Sequence, residues 1–175
     1  MIMKKILFLI AGLFLSLYAV GQVPSSNVVI ATMPKGATKL TRDHLLNIVH
    51  NDYKRSSIPL DKENTYQLDG VLISFWDLSV NPEFKKSLKA SQSEMLEYLG
   101  RNKENVVNYS KIISVNNIQY LVCEYQNNDE VYLWFKSDYN KKNKDINGVV
   151  QFKKPDEEKA HKALNDFLST VHFKE

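Results

Sequence analysis

From Val106 to Phe152 apolar and polar positions alternate with a period of two, in four runs: VVNYSKIISV, IQYLVCEY, VYLWFKS and GVVQF. Asn116-Asn117, Asn127-Asn128-Asp129 and a lysine-rich loop ending at Gly148 separate them. Asparagine tolerates the left-handed backbone of tight hairpins, so the pattern predicts an antiparallel meander. Val28–Met33 and Val71–Leu78 read as two earlier strands, and residues 54–70, which hold Pro59, as a long loop or ragged strands. The period changes to that of a helix in three places. Thr41 caps a run with Leu45, Leu46, Val49 and Tyr53 on one side. Asn81-Pro82 opens a second helical stretch, in which Ser91 and Glu94 have capping-box spacing and Gly100 is placed as the C-cap. Pro155, Asp156, Glu157 and Glu158 open the third, whose Ala160, Ala163, Leu164, Phe167, Leu168 and Val171 share one face. The predicted class is α+β, an α/β sandwich in which a meander sheet packs against amphipathic helices, including a long C-terminal one.

Parity along the strands sorts the side chains into two faces. A two-residue turn at Asn116-Asn117, followed by an even-length loop, puts Ile113, Val115, Ile118, Tyr120, Val122, Val131, Leu133 and Phe135 on one side. This aliphatic face is the one expected to receive the helices. The other collects Ile112, Leu121, Cys123, Tyr125, Tyr132 and Trp134, with Ser114 and Gln119. If exposed together, Tyr125, Tyr132 and Trp134 form a binding patch. If the loop 54–70 covers them, they are core.

The N-terminus alters the meaning of the charge. Lys4 and Lys5 precede the uncharged run Ile6–Val20, and Ala19 and Gly21 supply small residues before a cut. This is the anatomy of a signal peptide, residues 1–21, with cleavage expected between Gly21 and Gln22. The run falls short of the roughly 20 residues that span a bilayer, so no stable membrane insertion is expected after cleavage. Loss of two of the 23 basic residues against 20 acidic ones leaves a net charge of +1, which gives no basis for nucleic-acid binding. Residues 22–27 read as a short tether and 28–175 as a single α/β domain, of a size able to bury a substantial core without disulfides. Cys123, the only cysteine, is expected to be a buried space-filler rather than a nucleophile.

The sequence carries no recognised catalytic constellation. His44 and His50 are six apart rather than four, and His161 falls off its helix's apolar stripe and is read as solvated, with His172 in the tail. HExxH, GxSxG, CxxC and glycine-rich phosphate loops are missing. Asp61, Glu63 and Asn64 do not have calcium-loop spacing. No catalytic residue, metal ligand or cofactor is assigned.

The order of elements resembles the PsbP/Mog1/DcrB-like α/β family. The resemblance is carried by NVVNYSKIISVNNIQYLVCEY, by GVVQF, and by EEKAHKALNDFLSTVHFK with its Ser169–Phe173 segment, over roughly residues 71–175. It implies a non-catalytic accessory module and transfers no binding residue. The leading expectation is an exported, periplasmic or secreted, accessory or binding protein with an envelope protein partner. The alternatives are an unrecognised hydrolase or cation-dependent enzyme using Asp61, Glu63, Asp69 or the helix histidines, and a small-ligand carrier.

Overall fold

The computed structural model describes residues 22–24, 26–51 and 64–175. The expected signal segment, Asp61, Glu63, and residues 54–63 of the expected loop lie outside them. The chain runs β1 (Val29–Ile30), β2 (Thr38–Lys39), α1 (Arg42–Asn51), β3 (Thr65–Leu68), β4 (Val71–Ser79), α2 (Leu88–Gly100), β5 (Asn105–Val115), β6 (Ile118–Asn127), β7 (Glu130–Ser137), β8 (Lys144–Lys153), α3 (Glu157–Ser169) and β9 (His172–Phe173). Strands β2 to β8 form one antiparallel sheet in the order β2-β3-β4-β8-β7-β6-β5, and β1 pairs with β9 in a separate ribbon. The long-range β4–β8 pairing joins the early hairpin to the meander.

The turns follow the residues that make them. Asn116 and Asn117 take φ of 49° and 60°, and Asp69-Gly70 takes 44° and 83°, so both two-residue hairpins use left-handed backbone. Asn128 (φ 56°) begins the β6–β7 turn, also of two residues, which pairs Asn127 with Glu130. The even loop preserves parity, and Tyr120, Val122, Val131, Leu133 and Phe135 all enter the main core.

Each face of the sheet is covered. On the aliphatic face α3 buries Ala160, Ala163, Leu164, Phe167 and Leu168, with Phe167 packed 5.1 Å from Phe75 and 5.9 Å from Phe135 between ring centroids. Val28, Val29, Ala31 and Met33 close the same core. The expectation that all the helices meet the aliphatic face is corrected here. Leu45 and Val49 of α1 pack on Leu72, Tyr132 and Val149 of the aromatic face, and α2 lies over β5 and β6. A helix linking central β4 to edge strand β5 must cross the sheet, and α3 already occupies the other side.

Three local expectations also shift. Asn81 caps only a short 3-10 turn, Pro82–Phe84, by accepting the Glu83 N–H. The α2 cap is Ser87, whose Oγ accepts the Ala90 N–H at 3.2 Å, rather than Ser91. Gly100 is the last helical residue and Arg101 the C-cap. The segment before β1 is held to the sheet: Ser26 Oγ–H and the Asn27 N–H donate to the Asp77 carboxylate, each at 2.8 Å.

Candidate functional site

Tyr125 and Tyr132 are cross-strand partners on β6 and β7, and their rings stack at 4.9 Å with an interplanar angle of 12°. Tyr132 is buried beneath α1, its hydroxyl hydrogen-bonded to Glu130, which also accepts the Gln151 amide at 3.3 Å. The two tyrosines floor a cleft of about 380 Å³ whose rim carries Tyr98, Arg101 and Asn102 from the C-terminal end of α2, with Asn105 and Asn127 from the strands. Trp134 is half-buried and lines a different cleft, of about 290 Å³, with Lys86, Glu94, Met95, Lys136 and Tyr139. Tyr125 and Tyr132 therefore come together, while Trp134 faces the N-terminal half of α2.

Near that N-terminal end a third cleft, about 680 Å³, is lined by Lys85, Lys86, Lys89, Ile112, Gln119 and Asp138. Lys136 makes a buried ion pair with Asp145, and its Nζ and that of Lys85 each lie 5.0 Å from the centre of the Tyr139 ring. Cys123 is fully buried between Ser110 and Trp134 on the neighbouring strands. Burial pushes its thiol pKa up, partly offset by a hydrogen bond with Ser110, which suits a packing role and not a thiolate nucleophile.

The aliphatic parity of β6, Ile118-Tyr120-Val122, continues to Glu124, whose side chain is 3% exposed. The strand pattern thus carries an acid at a core-facing position, which no short sequence motif marks. A bulge in β5 sits opposite. Val107 pairs with Tyr125 and Tyr109 with Glu124, leaving Asn108 as the extra residue. The Asn108 Nδ2–H donates to Glu124 Oε1 at 2.5 Å. From α3, His161 reaches over so that its Nε2 lies 2.7 Å from Glu124 Oε2. His161 is thus not simply solvated, because the sheet edge rises beside its helix face. Tyr109 and Phe152 flank the imidazole at 6.2 and 6.4 Å between ring centroids. Burial, reinforced by the charges of Glu124 and Glu157, holds the Tyr109 phenol well above its usual pKa. One turn N-terminal to His161, Glu157 presents a carboxylate paired with Lys154 at 2.7 Å. The Lys154 hydrogen bond lowers the Glu157 pKa. Glu124, Glu157 and His161 offer three donor atoms, all within 4.8 Å of one another.

The remaining sequence candidates do not join this group. His44 and His50 are exposed on α1, Asp69 is exposed at the β3–β4 turn, and His172 is exposed on β9.

An antiparallel sheet flanked by helices on both faces, closed by a C-terminal helix and a short terminal strand, is a PsbP-like fold. The solution structure of cyanobacterial PsbP (CyanoP) from Synechocystis sp. PCC 6803 matches with a TM-score of 0.55, over 89% of this chain and 94% of that one, at 11% identity. No protein-family model and no curated protein matches the sequence. Among the described residues no helix is long and apolar enough to cross a membrane.

Proposed function

We propose that the protein is an exported, non-catalytic accessory protein of the cell envelope that binds an envelope protein partner through the cleft between α2 and the aromatic sheet face. The observation that carries this reading is the Tyr125–Tyr132 stack flooring an open cleft, with Tyr98, 65% exposed, and Arg101 on its rim. Tyrosine and arginine are enriched at protein contacts, tyrosine for its large and rigid contact area and arginine for its directional donors. The signal-type N-terminus supports export. The histidines and Asp69 of the hydrolase alternative line none of the three clefts.

The test places a photo-reactive amino acid at position 98 of the full chain, expressed in its native cells. The reading expects one dominant envelope protein in the cross-linked product, lost when Tyr125 is changed to Ala. Folded, exported protein that yields no adduct above background overturns it.

A further inference from the structure

We propose that Glu124, Glu157 and His161 form a binding site for one divalent first-row transition-metal ion, bridging the sheet to the C-terminal helix. The proposal rests on how the three donors are held. Glu157 and His161 are four residues apart on α3, the spacing that puts two side chains over the same point of a helix surface. Glu124 rises from β6 beneath them, and their donor atoms converge within 4.8 Å.

Glu124 supplies the second, independent observation. A carboxylate that is only 3% exposed is costly to bury unless its charge is compensated. Its Oε1 is taken by the Asn108 amide. Its Oε2 faces the gap, 2.7 Å from His161 Nε2, yet no aligned hydrogen-bond donor meets it among the described residues. Asn108, the extra residue of the β5 bulge, orients the carboxylate as an outer partner orients a metal ligand. Tyr109 and Phe152 wall the imidazole and limit the rotamers open to it.

The donor chemistry selects the ion class. One imidazole nitrogen with two carboxylates suits zinc, manganese, iron(II) or cobalt(II). Calcium and magnesium favour all-oxygen shells, and copper(I) favours sulfur. Lys154 is the competing cation; it occupies one oxygen of Glu157 at 2.7 Å and leaves the other for the ion. Three protein donors leave coordination positions open to water.

Zinc chloride is titrated by calorimetry into the chelator-treated full chain, with cobalt(II) absorption as a second readout. One equivalent is expected to bind. His161→Ala and Glu157→Gln alter half-exposed side chains on α3, and each is expected to weaken binding about tenfold or more with the circular dichroism spectrum unchanged. The d–d bands of a four- or five-coordinate cobalt site should vanish in His161→Ala, and His172→Ala should bind as the parent does. No zinc binding, parental affinity in a folded His161→Ala variant, or a matching loss in His172→Ala would each overturn the site. In those cases Glu124 and His161 are a structural ion pair.

Discussion

Gly148 of β8 lies against the ring of Phe135 on the neighbouring strand: a Cβ at position 148 would fall 2.2 Å from Phe135 Cζ and 2.5 Å from the Ser74 carbonyl oxygen. The bare backbone lets Phe135 lie across β8 and meet Phe167 of α3. This glycine, expected from sequence to end a loop, is instead mid-strand and serves packing. Gly148→Ala should therefore destabilise by about 1–3 kcal/mol, since overpacking forces backbone or ring shifts. Urea denaturation checks it, and an unchanged midpoint would remove the packing account.

Tyr120 is fully buried on the aliphatic face, and its hydroxyl has no hydrogen-bond partner among the described residues. Tyr120→Phe should be neutral or stabilising by about 1 kcal/mol, because the unmet polar group is removed and the ring remains. The same burial raises the phenol's pKa, which fixes the sign of a pH effect. Below about pH 10 both folded and unfolded forms hold the proton, while above it the unfolded chain ionises first. Stability should then fall by about 1.4 kcal/mol per pH unit from this residue, and Tyr120→Phe should lose that part of the slope. Denaturation midpoints from pH 9 to 11 read the difference; parallel curves would count against it.

Lys136 and Asp145 form a buried pair between β7 and β8, with Asp145 fully buried. Lys136→Met strands the carboxylate and should cost about 3–5 kcal/mol, whereas Lys136→Met with Asp145→Leu should recover much of the loss. Thermal melts of the single and double variants measure the coupling. A single variant as stable as the parent would show that the pair is already hydrated.

Cys123 should react with a thiol reagent only after denaturant is added, because it is fully buried and its thiol is held protonated. Stoichiometric labelling of the native protein within minutes would mean that the β5–β6–β7 region opens readily.

Trp134 should be partly quenched by iodide in a Trp76→Phe background, since it lines an open cleft. Complete protection would show that the cleft is closed in solution.

The sequence by itself determined every element whose pattern is strictly local. Tyr120 and Val122 could be placed with Ile113 and Val115 from parity, because the side-chain period of a strand is two and Asn116-Asn117 makes a turn of even length. Phe135 joined them only on the condition of an even β6–β7 loop, which the structure supplies in Asn128-Asp129. The α3 stripe from Ala160 to Leu168 was equally legible from its helical spacing. The two residues of β2 carry too little periodicity to be read, and the four of β3 fall within the span 54–70 read as a long loop or ragged strands. Tertiary structure alone decided which face each helix covers, since a single amphipathic stripe fits either side of a sheet and only the β4-to-β5 crossover sends α2 to the aromatic one. It also decided the Glu124–His161–Glu157 group. Glu157 and His161 are a local pair on α3, but Glu124 lies 33 and 37 positions before them. No local motif links it to them, and only the β5 bulge and the docking of α3 bring the three donor atoms within 4.8 Å of one another.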